Sequence, residues 1–153
     1  MLLNAGHEAT VHTLGNGIKT LLENGIGAEA MTPDRIEATV EEILRFDPPV
    51  HLFTRYACED MDIGGHALKR GQQIAYVYGA TGRDPARWDD PDRFDPTRSI
   101  QKNLSFGGGN HFCVGAPLAR LELQVALPIL FDRCPHLSLV DTPYYSNIYH
   151  FHG

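Results

Sequence analysis

The pattern of apolar residues predicts one mainly α domain with small antiparallel β-sheets. Three observations predict it. Apolar residues recur at helical spacing in three segments: near the start, after Thr32-Pro33 and after Gly115. Between His51 and Tyr78 the pattern changes to short β-rich runs divided by glycines. Residues 79–105 then carry many Pro, Asp and Gly and little periodicity, as an irregular connection does.

Val11, Leu14, Ile18, Leu21 and Leu22 share a helical face, so a helix is expected from about Met1 to Glu23. Gly15 and Gly17 weaken it, and Asn24-Gly25 ends it. Thr32-Pro33 is a start signal, a capping hydroxyl followed by proline at the first helical position. The stripe Ile36, Val40, Ile43 and Leu44 carries this second helix to Phe46, where Asp47-Pro48-Pro49 stops it. Ile63 and Leu68 flank turn-forming glycines, and Gln73–Tyr78 is β-rich after Lys69-Arg70-Gly71. Short antiparallel strands with tight turns are therefore expected here. A connection as long as residues 79–105 is usually functional. Leu118, Leu121, Val125 and Ile129 form the last helical face, with Pro117 tolerable in the first turn. Pro128 removes a backbone donor and is expected to kink or shorten that helix. A short strand near Leu137–Val140 and an aromatic, irregular tail complete the chain.

The 153 residues suffice for one domain with a real core. A net charge of −6 argues against a general nucleic-acid footprint. The opening residues lack a basic n-region and a signal-length apolar run, and no stretch approaches transmembrane length. Neither nucleic acid nor membrane is expected as a partner. Cys58, Cys113 and Cys134 are odd in number and irregularly spaced, which argues against a disulfide framework and for a reducing cytoplasm. His7, His12, His51, His66, His136, His150 and His152 show no ligand spacing.

The chemistry concentrates in Phe106-Gly107-Gly108-Gly109-Asn110-His111-Phe112-Cys113-Val114-Gly115, a glycine-rich loop opening onto a helix near Ala116. A phosphate loop would end in Gly-Lys-Ser/Thr, and this one ends in Cys113-Val114-Gly115. The dinucleotide fingerprint fails because Phe112 stands at the third glycine position. A zinc site needs about four ligands in paired spacings, and His111 with Cys113 offers one pair. A lone buried cysteine after a turn is the bland alternative. Glycines let the backbone approach a bulky group, and a cysteine at a helix mouth sits where the dipole favours an anionic sulfur. Such an arrangement is what an axial sulfur ligand to a haem iron requires.

Position by position the loop resembles the haem-binding loop of the cytochromes P-450, Phe-Gly-x-Gly-x-His-x-Cys-x-Gly. The resemblance implies haem b (iron protoporphyrin IX) bound by Phe106, Gly107, Gly109, His111, Cys113 and Gly115, with Cys113 as the axial thiolate and only iron ligand. His111 and Arg55 would pair with the haem propionates, although an arginine in a strand-rich region is more often a surface charge.

Glu42 and Arg45 read on their own as a solvated i,i+3 ion pair. Glu42-Ile43-Leu44-Arg45 is also similar to the family's Glu-x-x-Arg motif, and Pro91-Asp92-Arg93-Phe94 to its Pro-x-Arg-Phe segment. That similarity implies a buried Glu42, Arg45 and Arg93 network beside the loop. Ala5-Gly6-His7-Glu8-Ala9-Thr10 reads alone as a small-residue patch for close helix packing. It resembles the family's oxygen-binding signature, in which an acid–alcohol pair relays protons, so Glu8 and Thr10 are the implied catalytic residues. Ala9 stands where the family has threonine, and a one-residue shift turns a side chain by about 100°.

The resemblance implies a mostly α fold with small β-sheets and a bacterial-type soluble monooxygenase. Such an enzyme inserts one oxygen atom of O2 into a small organic substrate, with electrons from a ferredoxin or flavoprotein. Family members are more than twice this long, so residues 1–153 are expected to be one truncated haem-binding domain, the C-terminal portion of a longer fold. A catalytically inactive remnant, at best a haem-binding or interaction module, is the alternative from a different class.

Overall fold

The computed structural model describes residues 2–145. Three long helices carry the core: α1 (Leu2–Glu23), α2 (Ile36–Phe46) and α4 (Ala116–Arg133), each in contact with the other two. Between α2 and α4 lie strands β1 (Leu52–Tyr56), β2 (Met61–Ile63), β3 (His66–Leu68) and β4 (Gln73–Val77), and the one-turn helix α3 (Tyr78–Thr81). The core is where the three stripes meet, with Leu21 from α1, Val40, Ile43 and Leu44 from α2, and Leu123, Leu127 and Phe131 from α4. Helix α1 continues through Gly15 and Gly17, and Gly17 lies directly against Ile43. It ends at Asn24-Gly25 as expected.

The second helix starts later than Thr32-Pro33 suggests. The Thr32 hydroxyl does not cap it. Instead the Thr32 carbonyl accepts from the N–H groups of Arg35 and Ile36, each at 2.9 Å, so a turn precedes the first helical residue, Ile36. The strands form two antiparallel pairs. β1 runs against β4 in the register Leu52↔Val77 to Tyr56↔Gln73, and β2 against β3 from Met61↔Leu68 to Ile63↔His66. The first pair places Arg55 and the first residue of α3, Tyr78, near the glycine-rich loop.

The end of the chain, from α4 on, departs from expectation on three counts. Helix α4 runs through Pro128 to Arg133 rather than stopping short. The face Leu118, Leu121, Val125 and Ile129 is 46–57% exposed, and the buried face is Ala116, Leu123, Leu127 and Phe131. Both faces are apolar, so periodicity alone could not say which one the core takes. The expected strand at Leu137–Val140 is absent: no described strand lies alongside to pair with it, and Val140 is exposed. His150, His152 and the end of the tail lie outside the described residues.

Candidate functional site

The glycine-rich loop folds back on itself through short-range hydrogen bonds. Gly107 N–H donates to Leu104 O at 2.8 Å, and Cys113 N–H donates to Phe106 O at 3.0 Å. Gly107 is buried at φ +72, a conformation that costs a residue with a Cβ, and such a Cβ would come within 3.3 Å of Tyr78 Oη. Gly109 also has positive φ, at +63. Ala116 N–H donates to Cys113 O at 3.2 Å and Ala119 N–H to Gly115 O at 2.9 Å, so α4 begins immediately after the cysteine. Cys113 is an exposed free thiol, as are Cys58 and Cys134.

Cys113 lines a mostly apolar groove of about 470 Å³. The loop contributes Phe106, Gly107, His111, Cys113 and Gly115 to its walls, and β1 contributes Phe53 and Arg55. Ala5, Gly6, Ala9 and Thr10 of α1 face the same space, as do Leu118 and Glu122 of α4. Arg55 donates from Nη1 to Thr54 O at 2.8 Å, and its guanidinium lies 5.6 Å from the centre of the Phe53 ring. Glu8 is exposed and is not part of the groove lining.

Thr10 does reach the groove. Its Oγ1 is 3.0 Å from Gly6 O and 3.2 Å from Glu122 Oε2, two acceptors for one hydroxyl proton. No motif in the sequence marks Glu122. It stands in the last helix, 112 positions from Thr10, and no local pattern connects the two. What could have found it is its position nine residues after Cys113, on the helix that the loop opens.

Behind the loop Glu42 and Arg45 are buried, 3% and 1% exposed, so the solvated surface pair is excluded. Arg45 donates from Nε to Glu42 Oε2 and from Nη2 to Oε1, both at 2.7 Å. Its remaining N–H groups go to the carbonyls of Arg93 at 3.0 Å, of Pro91 at 2.8 Å and of Gly82. All five guanidinium donors therefore have acceptors, which a buried arginine requires. A Cβ at Gly82 would lie 2.0 Å from Arg45 O, so only glycine fits that approach.

The expected role of Arg93 needs correction. Its side chain is 62% exposed and pairs with Asp95, and only its backbone carbonyl enters the network. The cause is the direction of the chain: the segment turns its carbonyls, not its guanidinium, towards Arg45. Arg98 approaches Glu42 instead, Nε to Oε1 at 3.5 Å, and Asp95 N–H donates to Glu42 Oε1 at 2.8 Å. The Thr97 hydroxyl, outweighing partial burial and helped by Arg93, holds the Asp95 carboxyl below its usual range.

The donor set fits haem. A single sulfur at the edge of an apolar groove suits an iron, and Arg55 and His111 on the same lining suit a dianionic edge. Among the described residues no three His, Cys, Asp or Glu side chains gather as an ordinary metal site would need. The cytochrome P450 family model matches residues 35–143. This chain belongs to the cytochrome P450 family. It is 43% identical over 143 residues to the biotin biosynthesis cytochrome P450 of Bacillus subtilis, covering 92% of this chain and 36% of that one. It is 45% identical over 141 residues to the 6-deoxyerythronolide B hydroxylase of Saccharopolyspora erythraea, covering 91% and 35%. Among solved structures it resembles the polyketide synthase cytochrome P450 PksS of Bacillus subtilis, with TM-score 0.93, 38% identity and 99% of this chain covered against 41% of that one. P450BioI, crystallised with a hexadec-9Z-enoic acid ligated acyl carrier protein, gives TM-score 0.89 at 41% identity, over 97% of this chain and 39% of that one. The chain thus spans roughly a third of the length of these curated relatives. Cytochromes P450 carry haem with a cysteine thiolate as axial ligand. No described helix is long and apolar enough to cross a membrane.

Proposed function

We propose that this chain is the haem-holding part of a haem-thiolate monooxygenase, which inserts one oxygen atom of O2 into an apolar organic substrate. The observation that carries the reading is the groove: one fold brings Cys113, the N–H donors Arg55 and His111 and the Thr10–Glu122 pair to one apolar space. Cys113 would ligate the iron, and Arg55 and His111 would pair with the propionates. When bound, the haem supplies the oxidising chemistry, favoured by electron density from the thiolate.

The chain's own residues have separate tasks. Phe53, Phe106 and Leu118 give the groove apolar walls against which a flat apolar cofactor can pack. Thr10 Oγ1 holds a proton between Gly6 O and Glu122 Oε2, and Glu122 can take up or return one at that point. The hydroxyl beside Ala9 therefore has a partner of its own and does not depend on Glu8. Electrons would come from a ferredoxin or flavoprotein. The acyl carrier protein bound to P450BioI and the polyketide synthase context of PksS support an acyl or polyketide-like substrate.

A second reading is a haem-binding or interaction module without turnover, and the exposed apolar face of α4 favours it. An assay with isotopically labelled O2, haem, a ferredoxin–reductase pair and a fatty acyl substrate separates them. Label in the product supports the monooxygenase. Haem binding with no labelled product supports the module.

A further inference from the structure

One side chain outside the groove ties down both ends of the loop that presents Cys113. Glu41 of α2 is mostly buried, at 12% exposure, and points towards α4. Its carboxylate takes Arg120 in a fork, Nε to Oε1 and Nη2 to Oε2, the latter at 3.2 Å. Oε2 also accepts from Asn103 Nδ2 at 3.1 Å. Asn103 lies just before the loop and Arg120 just after it. Asn103 Oδ1 in turn accepts from Ser105 N–H at 3.2 Å, and Ser105 Oγ donates to Leu44 O on α2.

The link continues to the cysteine. The Arg120 guanidinium lies 4.6 Å from the centre of the Phe106 ring, which packs against the helical core on its other contacts. Phe106 O accepts the Cys113 N–H. A forked carboxylate fixes orientation as well as distance, and a ring under the guanidinium passes that orientation to the backbone. We propose that Glu41, acting through Arg120 and Asn103, is a positioning residue that sets where Cys113 stands in the groove. The adjacent Glu42 has a different task, because it binds α2 to Asp95 and Arg98 in the connection that precedes the loop.

The inference rests on Cys113 as the iron ligand, so its test begins without haem. Amide hydrogen exchange on the full chain would compare wild type with Glu41→Gln, Arg120→Lys and the double variant. Gln keeps the shape and an acceptor but loses the charge, and Lys keeps the charge but loses the fork. Each single variant is expected to speed exchange over residues 104–115 by about tenfold, with β1 and β4 unchanged and the double variant no worse than the singles. Unchanged loop exchange, or equal acceleration across the whole chain, would overturn it. In haem-loaded protein the variants should lower the fraction showing the thiolate band of the reduced, carbon-monoxide-bound form. A wild type that lacks that band while the loop effect persists would refute Cys113 as ligand and leave the bracket standing.

Discussion

A hydroxyl moved by one position on a helix turns by about 100°, yet Thr10 lines the groove and lies 3.2 Å from Glu122 Oε2. Ala9 and Thr10 both border the space because it is wider than one side chain. In a protein competent for turnover, Thr10→Ala should lower product formed per reduced nicotinamide by about tenfold or more, the low end of proton-transfer effects. Ala9→Thr should change that ratio little, since Thr10 already has an acceptor. Measured product-to-nicotinamide ratios check this, and the opposite ranking would return the relay to position 9. At this scale the sequence showed what is local. Cys113, His111 and the glycines occur in one run of ten residues, so spacing alone exposed them. Glu122 and Glu41 depend on which helices pack together, and nothing adjacent to either residue encodes that.

At the scale of elements, the Glu42–Arg45 pair joins α2 to residues 82–95 with every guanidinium donor satisfied. Removing one partner of a buried pair costs about 3–5 kcal/mol, against at most about 1 kcal/mol for an exposed pair. Glu42→Ala and Arg45→Ala should therefore shift denaturant midpoints strongly, and Arg93→Ala should barely shift them. A large loss for Arg93→Ala would mean that its side chain has a role beyond its exposed contact with Asp95. Helix α1, the apolar stripe of α2 and a region of short antiparallel strands between His51 and Tyr78 are legible from periodicity, prolines and glycines, whereas the Thr32 cap is not used and β1 carries no signal of its own. The strand expected at Leu137–Val140 failed for a different reason. Local β propensity cannot supply the neighbour that a strand needs.

For the whole molecule, the apolar face of α4 that the core leaves uncovered has a physical consequence. Leu118, Leu121, Val125 and Ile129 present an apolar stripe to solvent. A patch of that kind promotes association. The 153-residue chain should show concentration-dependent association in sedimentation velocity. Val125→Lys with Ile129→Glu should suppress it at a cost within about 0.5 kcal/mol each, as for exposed positions. A monodisperse wild-type chain at high concentration would contradict this.

Every proposed role in the groove depends on Cys113 holding an iron through its sulfur. The most direct measurement is the absorption spectrum of haem-loaded protein, reduced and saturated with carbon monoxide. The red-shifted Soret band of thiolate ligation is expected in wild type, in Cys58→Ala and in Cys134→Ala, and its loss in Cys113→Ala. A band that survives Cys113→Ala, or is missing from the haem-loaded wild type, would contradict ligation by Cys113.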